Sequence, residues 1–194
     1  VWYGGFLLAA ALVLWEVKRS GLPMGKMTDF AAPALALAYA VGRVGCFMVG
    51  DDWGRPTSLP WGVRFPEGSP PTTVQVIESM GVRVDPELVA QYGNVVPVHP
   101  TQLYEVGLSL LIFAILWRLR KHVHRAGWLF MLWLSLAGAE RLIVEFFRVK
   151  DDRFFGPLTL AQLISLGLIT VGILGMRRLA SPPSRGERRS TARA

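Results

Sequence analysis

Five ionisable side chains lie within or at the start of long apolar runs of this sequence, where each needs a chemical or structural reason. They are Arg43, Glu105, Glu140, Arg141 and Glu145. Inside a lipid bilayer such a group costs about 2.5–3.5 kcal/mol on insertion scales, so it commonly serves a ligand or a polar path. The alternative for each is structural, because the side chain could reach the membrane interface or pair with a neighbouring helix.

The arginines among them favour an anionic ligand. Arg43 follows thirteen uncharged residues and has no acidic residue three or four positions away within its run. Arg141, Glu145 and Arg148 are spaced by four and three residues, which places them on one helical face, where the carboxylate can pair with both cations. Guanidinium groups offer a fixed fork of donors that suits phosphate, and they stay charged. We therefore predict a phospholipid headgroup as the ligand; an ion path in a channel or transporter is the alternative.

The elements that must position these side chains are five apolar runs. They cover residues 1–17, 30–49, 102–117, 127–147 and 156–176. A spanning helix needs about 20 mostly apolar residues, and soluble cores seldom need several such runs. Apolar residues make up 52% of the chain and charged residues only 18%, which is low for a soluble domain. The sequence thus predicts an all-α, polytopic integral membrane helix bundle over residues 1–180, with about five spans.

Basic residues are distributed unevenly between the two ends of these runs. Thirteen lysines and arginines follow the first, third and fifth runs, whereas six lie on the other side. Because basic loops favour the cytoplasm, we expect residues 51–98 to be external and a basic tail, residues 181–194, to be disordered and cytoplasmic. The external segment is loop-like and rich in proline, except for a short helix predicted from Pro86 to about Tyr92 with Asp85 as its cap.

Other function classes are disfavoured by the same composition. The net charge of +7 comes from loops beside apolar runs, which indicates contact with lipid headgroups and not nucleic acid. A single cysteine excludes an internal disulfide framework, and three scattered histidines do not suggest a metal site. Thr159, Gln162 and Ser165 form a polar stripe on the last run, which should face the bundle or a cavity.

Four segments, in order along the chain, resemble the prolipoprotein diacylglyceryl transferase family. The longest is residues 42–63, Gly-Arg-Val-Gly-Cys-Phe-Met-Val-Gly-Asp-Asp-Trp-Gly-Arg followed by Pro-Thr-Ser-Leu-Pro-Trp-Gly-Val. The others are Tyr-Gly-Gly at 3–5, His-Pro-Thr-Gln-Leu-Tyr-Glu at 99–105, and Arg-Leu-Ile-Val-Glu-Phe-Phe-Arg at 141–148 together with 159–165. The resemblance covers nearly the whole chain apart from residues 67–97 and the tail.

The resemblance implies a multi-pass enzyme of the bacterial plasma (inner) membrane, with seven transmembrane helices in the family, a small external head and an active site towards the periplasm. Such enzymes move the diacylglyceryl group of phosphatidylglycerol to the thiol of the lipobox cysteine in a prolipoprotein. A thioether forms and glycerol phosphate leaves. The implied partners are phosphatidylglycerol, lipobox peptides and the lipid bilayer; no cofactor or metal is implied.

Site roles follow from this implied reaction, in which the thiol must lose its proton and the departing phosphate must be stabilised. The predicted catalytic residues are Arg43, Arg141, His99, Asp51 and Tyr3. The predicted substrate-binding residues are Arg43, Gly54, Gln102, Tyr104, Glu105, Glu145 and Arg148. The two catalytic arginines would bind phosphate, and His99 or Asp51 would be the base. Tyr3 stands where many family members have a histidine proposed as the base.

Departures from the family pattern keep a second function open. Cys46 and Val49 replace asparagines of the common signature, Asp51 replaces a glutamate and Ala137 a tyrosine. These changes support, as the alternative, a catalytically weak relative that binds phospholipid or lipoprotein without transfer. The chain also begins inside its first apolar run, so we expect further helices to precede it and residues 1–194 not to work alone.

Overall fold

The computed structural model describes residues 2–149, 153–155 and 158–180, and the side chains of residues 2–7, 153–155 and 158 are not described. The predicted disordered tail, residues 181–194, lies outside the described residues. Seven helices form within the described part: α1 Trp2–Arg19, α2 Met24–Val49, α3 Val74–Ser79, α4 Pro86–Tyr92, α5 Thr101–Leu119, α6 Trp128–Glu145 and α7 Leu160–Leu179. Each of the five predicted apolar runs forms a long helix, which confirms the helical fold class.

A short antiparallel hairpin precedes α7. It consists of β1 Arg153–Phe155 and β2 Leu158–Thr159. The sequence predicted no strand here, and the last helix begins four residues later than its apolar run. Thr159 explains the later start, because its side chain accepts from the backbone N–H of Gln162 while the Gln162 side chain accepts from the backbone N–H of Thr159. This reciprocal capping box sets the first turn of α7.

By length and composition, three helices of the described part could cross a membrane. They are α2, α5 and α7. The other two long helices, α1 and α6, each carry three charged residues in 18 positions. The structure is therefore that of a helical membrane protein, and the number of five spans stays a prediction.

Small residues let the long helices approach closely. A β-carbon on Gly138 of α6 would lie 2.8 Å from the backbone oxygen of Ser165 on α7, and one on Gly172 of α7 would lie 2.8 Å from the backbone nitrogen of Ser135. Ala32 and Ala36 of α2 pack with partners from α5 and α6. This close packing brings the ends of α2, α5, α6 and α7 together, where the polar side chains lie.

The segment from residue 51 to 98 has its own core, which goes beyond the loop-like prediction. Its buried apolar side chains are Trp53, Ile77, Val84, Leu88, Val96 and Val98, joined by Val149. The predicted short helix is confirmed as α4, and the carboxylate of Asp85 accepts from the backbone N–H of Glu87 at 2.9 Å. Helix α3 was not predicted; its single buried side chain, Ile77, anchors it to this core.

The basic connecting segments lie at one end of the molecule. A β-carbon on Gly25, at the start of α2, would lie 2.7 Å from the backbone oxygen of Ala126, before α6. The backbone N–H of Arg125 donates to the carbonyl of Leu179, at the end of α7, at 3.1 Å. Residues 51–98 lie at the opposite end of α2 and α5, so the two ends differ in charge as the sequence predicted.

Candidate active site

Arg43 lies near the end of α2 and is buried against α5. Its Nε and Nη2 both contact the fully buried Glu105 Oε2, and the hydroxyl of Tyr39 donates to Oε1 of the same carboxylate at 2.9 Å. Its Nη1 donates to Asp52 Oδ2 at 3.1 Å. Every nitrogen of the guanidinium is therefore engaged by the protein. As the sequence indicated, Arg43 has no acidic partner within its own helix; its partners come from α5 and from the turn after α2.

Asp52 joins two arginines. Its Oδ1 accepts from Arg148 Nη2 at 2.7 Å, while its Oδ2 accepts from Arg43. Gly50 ends α2 in the left-handed conformation, with φ at 70°, and Asp52 itself has φ at 56°. This tight turn directs the carboxylate back towards the helix end. Burial would raise the pKa of Asp52, but the charges and hydrogen bonds of Arg148 and Arg43 lower it from 3.8 to about 2.

Glu145 extends the ion pairs to the end of α6. Its Oε2 lies 2.7 Å from Arg141 Nη2 and 4.0 Å from Arg148 Nε, and its Oε1 accepts from the hydroxyl of Thr159 at 3.0 Å. The predicted pairing of Glu145 with both arginines is present, although Arg148 lies closer to Asp52. These contacts form one chain of alternating charges, which we call the ion-pair chain. In the order of the contacts it consists of Glu105, Arg43, Asp52, Arg148, Glu145 and Arg141.

Arg141 is the least covered cation of the ion-pair chain. Its side chain is 32% exposed, against 10% for Arg43 and for Arg148. Its Nη1 is buried and has no hydrogen-bond partner among the described residues. Of the three arginines, it has the most donor capacity left for an anion.

The start of α5 holds the turn that carries Asp51 and Asp52. Thr101 donates to the Asp52 carbonyl at 2.7 Å, and the buried amide of Gln102 donates to the Asp51 carbonyl. Gly54 is buried where a β-carbon would lie 2.6 Å from the Phe147 carbonyl oxygen. Through these contacts, Gln102 and Gly54 position the turn that follows α2.

His99 and Tyr104 form a second cluster beside the ion-pair chain. The His99 Nδ1 lies 3.0 Å from the hydroxyl of Tyr104, which accepts from the indole N–H of Trp61 at 2.9 Å. Both rings pack edge-on against Phe147. Burial lowers the pKa of His99, which favours the neutral imidazole. Since the indole can only donate, the Tyr104 proton is free to point at Nδ1; in that arrangement the imidazole proton is on Nε2.

The other polar residues selected from the sequence lie in the turn after α2 and on α1, α6 and α7. Asp51 lies in the turn after α2, and its Oδ1 is buried without a hydrogen-bond partner among the described residues. Glu140 on α6 accepts from the hydroxyl of Ser109 on α5 at 2.6 Å. This contact agrees with the structural alternative for Glu140, in which the side chain pairs with a neighbouring helix. Tyr3 lies on α1, but its side chain is not among those described. Of the polar stripe on α7, Thr159 and Ser165 are buried as expected.

A sequence profile of the family "Prolipoprotein diacylglyceryl transferase" matches residues 1–178. The chain belongs to this family. It is 35% identical over 176 residues to the phosphatidylglycerol–prolipoprotein diacylglyceryl transferase of Nitrosomonas europaea, covering 88% of this chain and 54% of the relative. It is 37% identical over 186 residues to the proteins of that name from Burkholderia mallei and Burkholderia thailandensis, covering 90% of this chain and 62% of each. The chain therefore spans a little over half the length of these curated relatives.

The diacylglyceryl transferase signature contains the residue that sequence reasoning missed. Asp52 lies within the quoted motif, yet only Asp51 was selected as a candidate base. Two residues nine positions apart on a continuous helix would not touch. Arg43 and Asp52 do contact each other, because the turn at Gly50 reverses the chain after α2. Cys46, a departure from the common signature, lies one turn from Arg43 and accepts from Nη1 at 3.4 Å. Its substitution is therefore next to the ion-pair chain.

Proposed function

We propose that this protein transfers the diacylglyceryl group of phosphatidylglycerol to the lipobox cysteine of prolipoproteins. The observation that carries the proposal is the ion-pair chain, in which three arginines gather where α2, α5 and α6 meet residues 51–98. Membership of the family and the names of the curated relatives support the same reaction. The transferase domain would be residues 1–180, in the bacterial plasma (inner) membrane, with its site on the external side.

In the proposed reaction, the thiolate sulfur attacks the terminal glycerol carbon of the diacylglyceryl group and the carbon–oxygen bond to phosphate breaks. The bond electrons leave with glycerol phosphate, and the thiol proton passes to a base. Because the second pKa of a phosphate monoester is near 6, the leaving group needs little protonation. Electrostatic stabilisation of its growing negative charge is then the main requirement.

Arg141 is the residue we assign to direct phosphate contact. Its side chain is the most exposed of the three, its Nη1 has no hydrogen-bond partner among the described residues, and Glu145 pairs with its other terminal nitrogen. Arg43 would instead hold Glu105 and Asp52 in place. The sequence favours Arg43 for direct phosphate contact, because no acidic residue lies three or four positions away within its run, but every nitrogen of its guanidinium is already bonded to the protein. Glu105, Glu145, Arg148 and Tyr104 would act by positioning these groups.

Asp51 is the better supported of the two predicted bases. Its Oδ1 has no hydrogen-bond partner in the described part of the chain, so it has a lone pair available for a thiol proton. His99 would present a protonated Nε2 when Tyr104 donates to Nδ1, which suits it to donate a hydrogen bond to phosphate. Tyr3 stays a candidate only because Tyr-Gly-Gly at 3–5 resembles the family's motif.

The test is transfer in a defined membrane. The purified full-length protein, in phosphatidylglycerol nanodiscs with a synthetic lipobox peptide, should add one diacylglyceryl group per peptide thiol and release one glycerol phosphate, both measured by mass spectrometry. Arg141→Gln should lower the rate roughly a hundredfold. Arg118→Gln, which removes a cation from the other end of α5, should not.

Two results would contradict the proposal. Phosphatidylglycerol bound without any mass added to the peptide would indicate the non-catalytic relative. Glycerol phosphate released without thioether formation would indicate a phospholipid hydrolase.

A further inference from the structure

A groove lies at the opposite end of α2 and α5 from the ion-pair chain and takes no part in the proposed transfer. Its volume is about 1060 Å³. Its walls are apolar side chains of the first half of α2 and the last turns of α5, including Phe30, Pro33, Leu37, Phe113 and Trp117. Phe30 and Arg43 are thirteen residues apart on α2, or about 20 Å along the helix axis. The groove is therefore a separate site.

Cations surround the end of this groove that faces the basic connecting segments. They are Lys26, Arg120, Lys121 and Arg125. The single carboxylate in the lining, Asp29, is already occupied. It accepts from the backbone N–H groups of Gly127 and Phe130 at 2.7 and 2.9 Å, and it lies 3.2 Å from His122 Nε2. Its charge thus caps the start of α6, and the positive charge at the groove stays in excess.

Two further contacts favour an anionic ligand at this end. The guanidinium of Arg120 lies 4.3 Å from the ring of Trp117 and donates to its carbonyl at 2.5 Å, so the cation is held at the groove. The ring of His124 stacks on Trp128 at 4.1 Å, and its buried Nδ1 has no hydrogen-bond partner among the described residues. The groove therefore combines apolar walls, several cations of which Arg120 is held in place, and an imidazole nitrogen without a hydrogen-bond partner among the described residues.

We propose that this groove binds one anionic phospholipid from the leaflet that contacts the basic loops. An acyl chain would lie along the apolar walls, and the headgroup phosphate would contact Lys26, Lys121 and Arg120. A free phosphate would make no contact with the apolar walls, and a neutral lipid would offer no negative charge to Lys26, Lys121 and Arg120. The proposed transfer uses the other end of the molecule, so this is an additional lipid site.

Native mass spectrometry of the detergent-solubilised protein tests the proposal, with phosphatidylserine and phosphatidylcholine titrated separately. The wild type should retain one phosphatidylserine in clear preference to phosphatidylcholine. Lys26→Gln/Lys121→Gln should weaken phosphatidylserine binding roughly tenfold, since each lysine near a lipid surface contributes severalfold in affinity. Ala34→Phe, which fills the exposed groove wall, should weaken both lipids.

The matched control is Lys18→Gln/Arg118→Gln, which removes two cations at the ends of α1 and α5 that do not line the groove. It should leave the preference within about twofold. Equal weakening by this control would show attraction to general surface charge and overturn the proposal. Unchanged binding in both groove variants would also overturn it. Phosphatidylserine lacks the glycerol headgroup of the proposed donor, so this result and the transfer result are independent.

Discussion

At the scale of single residues, Arg43 shows how a buried cation is matched by groups distant in sequence. Its carboxylate partner Glu105 is 62 residues away, on α5, and Asp52 is nine residues away, beyond the end of α2. A guanidinium can serve both because its nitrogens point in different directions within one plane. An amine in the same place could contact only one of them well.

This geometry predicts the outcome of Arg43→Lys. The charge is kept, but one ammonium cannot bond Glu105 through two atoms and also reach Asp52. We expect diacylglyceryl transfer to fall roughly a hundredfold, about 3 kcal/mol in the activation free energy, in the nanodisc assay. Arg118→Lys, the same exchange at an exposed position, should be neutral. Near-normal turnover by a stably inserted Arg43→Lys protein would show that the guanidinium geometry of Arg43 is not required.

Asp52 predicts a loss of stability in acid. Its pKa is about 2 in the folded protein, below its ordinary value of 3.8, so its charged form stabilises the fold fully above about pH 4. That contribution is lost as the pH falls from about 4 towards 2. With a third of the side chain exposed, solvent screening limits it to about 1 kcal/mol.

Thermal unfolding in nanodiscs between pH 2 and pH 6 measures this contribution. Asp52→Asn should be less stable than the wild type at pH 6, and the difference should shrink as the pH approaches 2. Glu78→Gln, at an exposed position of α3, is the control and should show no such change. A constant difference between Asp52→Asn and the wild type across this range would argue against the ion pairs with Arg43 and Arg148.

At the scale of helices, the close approach of α6 and α7 positions Glu145 next to Thr159. Gly138 has no room for a β-carbon, because the Ser165 carbonyl oxygen and Ile169 Cγ1 would lie at 2.8 and 3.0 Å. The helix pair must separate slightly to accept any larger residue. That separation would lengthen the hydrogen bond from Thr159 to Glu145.

Gly138→Ala should therefore destabilise the protein by about 1–3 kcal/mol. For a protein of this size, each kcal/mol lowers the unfolding temperature by roughly 2–4 °C. Gly167→Ala is the matched control on α7, since a β-carbon there meets nothing within 4 Å. It should be neutral or slightly stabilising, because alanine favours helix. If the two variants melt at the same temperature, the glycine at 138 is not needed for packing.

At the scale of the whole molecule, charge separates the two ends. The basic connections after α1 and α5 meet the end of α7, whereas residues 51–98 and the ion-pair chain lie at the other end. Basic loops favour the cytoplasmic side, so the candidate active site should face outward. The lipid groove would then contact the inner leaflet.

Cysteine labelling in intact cells tests this orientation in a Cys46→Ala background. Leu59→Cys, in the 51–98 segment, should react with a membrane-impermeant maleimide. Val123→Cys, in the loop after α5, should react only after permeabilisation. Both positions are exposed, so access to the reagent is limited by the membrane alone. The reverse labelling pattern would invert the predicted topology.

The sequence by itself determined the five long helices, the family and the short helix α4. Apolar runs, basic loops and capping residues act over a few neighbouring positions, so their pattern along the chain is enough to predict them. It also placed Glu145 correctly beside Arg141, because both lie on one helix. Only the tertiary structure decided which carboxylates neutralise Arg43, that Asp52 joins two arginines, and that Arg141 keeps a donor without a partner in the described part. These contacts depend on how α2, α5 and α6 pack and on the turn at Gly50, and the spacing of residues in one chain does not encode distances between helices.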